Sequence, residues 1–254
     1  MKKTNNWNYN HIAKKIKNEG YYIFENFLNK EDLLEVKNSL SDSLNFIKKN
    51  KKKNLIDRYY GVKNYNNNLK SHWYSLTRHN LILYKYLHNP NVLKLVKKYF
   101  NTKVLFSTGP ALHIHDASND FLLAPHQETN LYSKDGIVMW CPLYDTDSSS
   151  GGLTIYENSH KYGFFPHRLG KKSKKIWTKA YPIINNSILQ KFKKKNLNVR
   201  AGSMVFMINK MIHSGYPMTS KKKVRFTISE RLCPLQKIPY LKDEKANIKL
   251  PYPS

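Results

Sequence analysis

Apolar residues recur at helical spacing through the first part of the chain: Ile12 and Ile16, then Leu33, Leu34, Val36, Leu40 and Leu44. This pattern predicts helices between about His11 and Asn50, with Asn29 as a cap ahead of Glu31 and Asp32 in a first turn. Between them, Gly20-Tyr21-Tyr22-Ile23-Phe24-Glu25-Asn26-Phe27 is a short aromatic and β-branched run after a glycine, which reads as a strand. The lysine and asparagine stretch from Lys48 to Asn54 lacks apolar periodicity and reads as an exposed connection. A further helix is expected from about Pro90 to Phe100, where Val92, Leu93, Leu95, Val96 and Tyr99 form an apolar stripe behind an initiating proline.

After Asn101 the pattern shifts from helical spacing to short β-rich runs separated by turn residues. The predicted strands are Val104 to Ser107, Ala111 to His115, Ala124 to Glu128, Ile137 to Leu143, Leu153 to Tyr156, Ser203 to Ile208 and Val224 to Arg231. Helices first and strands afterwards argue for a β sandwich or barrel with helical additions, not for an alternating βα sheet. The basic, proline-interrupted stretch from about Tyr162 to Lys195 has no clean period and reads as an insertion, a kind of segment that tends to carry substrate contacts.

Composition changes this picture little. With 254 residues, 40% of them hydrophobic and 13% aromatic, the chain can bury a substantial core, and it reads as one domain spanning 1–254. Its parts would be a helical amino-terminal region over about 1–100, a β core over about 101–232 and a tail over 233–254. The formal net charge of +27 would ordinarily suggest an anionic partner. The excess is mostly Lys in a background rich in Asn, Ile and Tyr, a bias that an AT-rich genome imposes on any protein. No secretory signal or ~18-residue apolar run is found, so a cytoplasmic protein without a membrane span is expected. Cys141 and Cys233 are too few for a disulfide framework and read as reduced core residues.

The chemistry-bearing pattern starts at His126-Gln127-Glu128. Side chains at i and i+2 of a strand share a face, so an imidazole and a carboxylate converge there. A third ligand can come from His213, which follows the apolar run Met204 to Ile208. Two histidines and one carboxylate on one side of a metal suit Fe(II) and O₂ chemistry. Beyond His213, Val224-Arg225-Phe226-Thr227-Ile228-Ser229 alternates cleanly, with Arg225, Thr227 and Ser229 on one face. If this run forms an antiparallel hairpin with the His213 segment, Arg225 returns beside His213, where its guanidinium could grip a carboxylate. His113-x-His115-Asp116 reads as structural more than metal-binding, and His160 as a residue that orders its turn or touches substrate. Arg231 shares the face of Arg225 and suits a substrate contact or a salt bridge equally. The lysine runs at 171–175 and 193–195 read as solvated faces.

Taken in order, His126-x-Glu128, Trp140, Gly151-Gly152-Leu153-Thr154-Ile155-Tyr156-Glu157-Asn158-Ser159-His160-Lys161, His213-Ser214-Gly215 and Arg225 resemble the phytanoyl-CoA dioxygenase family of Fe(II)/2-oxoglutarate enzymes. Glu19 to Leu33 looks like that family's opening strand and helix, and the likeness runs from roughly Ile16 to Leu232. It implies a mainly β fold with flanking α-helices, built on a double-stranded β-helix (jelly-roll, cupin-like) core. It further implies Fe(II) on His126, Glu128 and His213, and 2-oxoglutarate with its distal carboxylate on Arg225. Trp140 would line the co-substrate pocket, Ser214 or Thr227 would add a hydrogen bond, and O₂ would be the oxidant. One departure stands out: the family usually carries Asp where this chain has Glu128. Halogenating relatives lack that carboxylate, so its presence here points to hydroxylation. The expected reaction is C–H hydroxylation of a small molecule, which the charge leaves free to be anionic, with release of succinate and CO₂. A nucleic-acid-directed oxygenase, marked by steep salt dependence of binding, and a non-catalytic binding module on the same fold are the competing readings.

Overall fold

The computed structural model describes residues 7–51, 54–116, 123–128, 135–169 and 182–235. Six helices and one strand come first: α1 (Tyr9–Glu19), β1 (Tyr21–Phe24), α2 (Lys30–Ile47), α3 (Leu55–Tyr65), α4 (Asn67–Leu76), α5 (Leu81–Leu87) and α6 (Pro90–Phe100). The β-rich part follows, with β2 (Leu105–Ser107), β3 (Ala111–Asp116), β4 (Ile137–Pro142), β5 (Gly152–Tyr156), β6 (His167–Leu169) and β7 (Pro182–Ile184). It closes with α7 (Asn186–Leu189), β8 (Lys194–Leu197), β9 (Met204–Ile208), β10 (His213–Tyr216) and β11 (Val224–Pro234).

The signals expected at Asn29 and Pro90 act there, and Asn89 and Gly20 add two further caps. Asn29 Oδ1 accepts from the Asp32 amide at 2.9 Å and starts α2. Asn89 Oδ1 accepts from the Asn91 and Val92 amides while Pro90 occupies the first turn of α6. Helix α1 ends at Gly20, whose φ of +82° is left-handed and whose missing Cβ leaves room for Met211 and His160. Helices α3, α4 and α5 were not singled out by the pattern. Their buried positions, among them Leu55, Tyr59, Val62, Trp73, Leu83 and Leu87, are spread among Asn, Tyr and Lys, so the apolar stripe is thin.

A six-stranded antiparallel sheet has the order β1-β9-β4-β11-β2, with β3 also pairing along β11. A three-stranded sheet has the order β10-β5-β8, and β6 and β7 form a separate ribbon. Period-two alternation divides each strand of the larger sheet between two cores. Met204, Phe206, Met139, Cys141, Phe226 and Ile228 join helix residues such as Val36, Leu40, Leu44 and Leu95 on one side. Val205, Met207 and Val138 meet Leu153, Ile155 and Leu197 of the smaller sheet on the other. The two-sheet core is a jelly roll with helices covering one outer face, and each fully buried leucine contributes about 1.5–3 kcal/mol to it. Both cysteines are buried. Among the described residues no helix is long and apolar enough to cross a membrane.

One expectation needs correction. The hairpin between the His213 segment and Val224–Arg231 does not form: β10 pairs with β5 and β11 with β3 and β4, so the two segments lie in opposite sheets. One edge of β10 bonds β5 and the other bonds Leu123 and His126, and the chain from Pro217 to Lys223 crosses between the sheets. The insertion carries the β6–β7 ribbon and α7, and β8 begins at Lys194, which pairs with Tyr156. The β core runs on to Pro234, where β11 pairs with β2. Residues 170–181, including the lysine run at 171–175, and the tail from 236 lie outside the described residues.

Candidate metal centre

His126 reaches the smaller sheet through a single antiparallel bridge. Its amide donates to the His213 carbonyl at 3.0 Å and the His213 amide donates back at 2.9 Å. Two residues on, the Glu128 amide donates to the Asn209 carbonyl at 3.1 Å. The predicted strand from Ala124 to Glu128 is thus reduced to one bridge, but it keeps the consequence of extended backbone, with the side chains of 126 and 128 on one side.

Ligand atoms from His126, Glu128 and His213 all lie within 4.8 Å of one another, and all three residues are buried. Nε2 of His126 is 3.9 Å and Nε2 of His213 is 3.7 Å from Glu128 Oε1. Each ring turns its other nitrogen to a backbone carbonyl: His126 Nδ1 to Ala124 at 2.7 Å and His213 Nδ1 to Met211 at 3.0 Å. A carbonyl only accepts, so Nδ1 carries the proton in both rings and the Nε2 lone pair is left facing the carboxylate. Burial, then the neighbouring His213, pulls the pKa of His126 down to about 3. That ring is neutral at neutral pH. Burial alone would raise the Glu128 carboxyl, but the Arg231 charge and the hydrogen bonds from its guanidinium hold it well below the ordinary value. Two imidazoles and one carboxylate with converging donor atoms fit a divalent transition metal.

The inner face of β11 supplies the polar surroundings. Arg225 reaches across the barrel so that Nη1 donates to the Gly152 carbonyl at 3.3 Å, beside the Gly151-Gly152 bend of the smaller sheet. Among the described residues no carboxylate pairs with it, and burial pulls its pKa down to about 10. A desolvated guanidinium with one long hydrogen bond fits an incoming carboxylate. Thr227 is fully buried with no partner for Oγ1 among the described residues. Trp140 stands opposite Ser229 across the β4–β11 ladder, which puts it on the face shared by Arg225, Thr227 and Arg231.

Other candidates fall elsewhere. Ser214 pairs with Thr154 and its hydroxyl meets Tyr156, on the side of β10 opposite to His213. His113 Nε2 lies 2.8 Å from Ser229 Oγ, and Asp116 accepts from Tyr59 and Lys63 at 2.6 and 2.9 Å, so neither joins the His126 cluster. His160 packs under Gly20, as an ordering residue would. Arg231 takes the salt-bridge role, donating from Nη2 to Glu128 Oε1 at 2.9 Å and from Nε to Oε2 at 3.2 Å. Its i, i+6 relation to Arg225 put it on the right face in the sequence. Its partner was not legible, because Glu128 comes from a segment outside the larger sheet.

The phytanoyl-CoA dioxygenase (PhyH) family model matches residues 16–227. No curated protein matches the chain in sequence. Among solved structures, the non-heme monooxygenase ThoJ in its apo form is 18% identical, with a TM-score of 0.58 over 88% of this chain and 77% of that one. The epimerase SnoN in complex with Fe3+, alpha ketoglutarate and nogalamycin RO is 13% identical, with a TM-score of 0.57 over 97% and 93%. EvdO2 from Micromonospora carbonacea var. aurantiaca, complexed with 2-oxoglutarate, is 10% identical, with a TM-score of 0.58 over 87% and 89%. At these identities the likeness establishes a shared fold.

Proposed function

The chain belongs to the phytanoyl-CoA dioxygenase family, and from that premise we infer that it hydroxylates a C–H bond of a small molecule at Fe(II) held by His126, Glu128 and His213. As a member of that family it is a 2-oxoglutarate-dependent oxygenase. The observation that carries the site assignment is the convergence of three buried ligand atoms within 4.8 Å, with both Nε2 atoms turned to one carboxylate.

In this reading His126, Glu128 and His213 would hold Fe(II) through the three ligand atoms that converge on one point. The carbonyls of Ala124 and Met211 keep each imidazole in the tautomer that donates from Nε2. Arg225 would hold the distal carboxylate of 2-oxoglutarate, Thr227 would offer its buried hydroxyl, and Trp140 would close the wall beside them. When bound, Fe(II) and 2-oxoglutarate would supply the oxidation, one O₂ being divided between succinate, formed from 2-oxoglutarate with loss of CO₂, and the substrate C–H. The chain's part is to orient these groups and exclude water. Val138, Leu153, Ile155 and Val205 provide an apolar lining between the sheets. The carboxylate at 128 takes the position a halide would need, which favours hydroxylation.

The test is succinate release that requires Fe(II), 2-oxoglutarate and O₂ together. His213→Ala is expected to abolish Fe(II) binding and turnover in a protein that still folds. Unchanged iron affinity in that variant would sink the assignment.

A further inference from the structure

We propose that Arg231 is a positioning residue of this centre, which presents Oε1 of Glu128 to the metal and holds Oε2 away from it, so that the carboxylate binds through one oxygen. The inference rests on the metal reading above. It starts from an asymmetry within one carboxylate. Oε1 is the atom that lies 3.9 and 3.7 Å from the two Nε2 atoms. Oε2 is engaged by Arg231 Nε at 3.2 Å, while Nη2 of the same guanidinium steadies Oε1 at 2.9 Å.

The geometry has a physical reason. Glu128 lies on a segment held by a single backbone bridge from His126 to the smaller sheet and by its own amide on the Asn209 carbonyl just after β9, and not by a continuous ladder. Its three side-chain torsions would otherwise sample several rotamers. Arg231 stands on β11, in the opposite sheet, where its strand pairs with Val138 of β4. A planar fork from a rigid strand fixes the plane of the carboxylate as well as its position, which a lysine cannot do. Ser229 Oγ accepts from Nη1 at 3.4 Å and restrains the rest of the guanidinium. Both side chains are largely buried, at 15% exposure for Arg231 and 8% for Glu128, so solvent does not loosen the pair.

Two opposite effects give the test its sign. As a cation near a dication, Arg231 would weaken metal binding, so its removal would tighten it. As a positioning group it prepays the ordering of Glu128, and removal would weaken binding. The buried, two-point geometry favours the second effect.

The experiment is calorimetric titration of Fe(II), without oxygen, into the full chain and into Arg231→Met, Arg231→Lys, Glu128→Asp, the Glu128→Asp/Arg231→Met double variant and His213→Ala. Arg231→Met is expected to bind Fe(II) about 10- to 100-fold more weakly, the usual loss when a group supporting a ligand is removed. Arg231→Lys should recover only part of that loss. Glu128→Asp, one methylene short of the fork, should also bind weakly, and the double variant should lose less than the product of the two single losses. Substituted Co(II) should show a changed visible spectrum in Arg231→Met, since the carboxylate is then free to bind through both oxygens. A folded Arg231→Met that binds Fe(II) as tightly as the parent, or tighter, overturns the proposal. Should that variant fail to fold, parental affinity in Arg231→Lys overturns it equally. If the parent does not bind Fe(II), or His213→Ala binds it undiminished, the metal reading falls and takes this inference with it.

Discussion

Replacing Arg225 with Met should move stability and co-substrate affinity in opposite directions. The guanidinium is desolvated, makes one 3.3 Å hydrogen bond to Gly152, and has no carboxylate partner among the described residues. The fall of its pKa from 12.5 to about 10 corresponds to a cost of up to about 3 kcal/mol for keeping the charged form there. Methionine matches much of the side-chain volume and carries no charge, so the ligand-free variant should gain about 1–3 kcal/mol. At this chain length that is roughly 2–4 °C in Tm per kcal/mol. Binding should respond the other way. Truncating one partner of a buried, hydrogen-bonded charge pair costs about 2–5 kcal/mol, a 2-oxoglutarate affinity lowered about 30-fold to several thousand-fold. Thermal unfolding of the metal-free protein gives the first quantity. Titration of 2-oxoglutarate into anaerobic Fe(II)-loaded protein gives the second. A variant that is clearly destabilised yet binds 2-oxoglutarate like the parent would refute the argument, because it would make Arg225 a structural strut.

Two further outcomes follow from neighbouring residues. Burial, and then the Arg231 charge, pulls the pKa of His113 from 6.5 down to about 3, so the folded chain binds fewer protons at this residue than the unfolded chain between those values. Its contribution to stability is therefore complete above pH 6.5 and is lost on acidification, by up to about 1.4 kcal/mol per pH unit. Urea midpoints of the metal-free protein at several pH values should show this slope, and His113→Gln should reduce it; an equal slope in the variant counts against the mechanism. Gly151 has φ +67°, and a Cβ there would lie 2.7 Å from the Tyr216 carbonyl oxygen and 3.0 Å from Arg225 Nη1. Gly151→Ala should thus lower stability by about 1–2 kcal/mol through backbone strain and weaken 2-oxoglutarate binding by displacing Arg225; unchanged co-substrate affinity would show that the bend does not position the arginine.

Local physics in the sequence was enough to define several elements outright. Asn29 with its first-turn acids, the Asn89-Pro90 start and the apolar stripe of Val92, Leu95 and Val96 specify α2 and α6 without reference to the rest of the chain. Alternation from Val224 to Ser229 divided that strand into its two faces, because a period of two survives whatever the partner strands are. The fold class followed from the resemblance, and the candidate ligands from spacing together with that resemblance. Tertiary structure decided the rest. Which strand β10 pairs with depends on competition for backbone hydrogen bonds among segments far apart in sequence, and β5 takes it in preference to β11. Ser214 was a candidate through the resemblance of His213-Ser214-Gly215, yet strand alternation turns it to the other face. The bond between Arg231 and Glu128 joins a strand of one sheet to a segment bridged to the other. No pattern along the chain encodes that meeting, since it exists only once the two sheets close on each other.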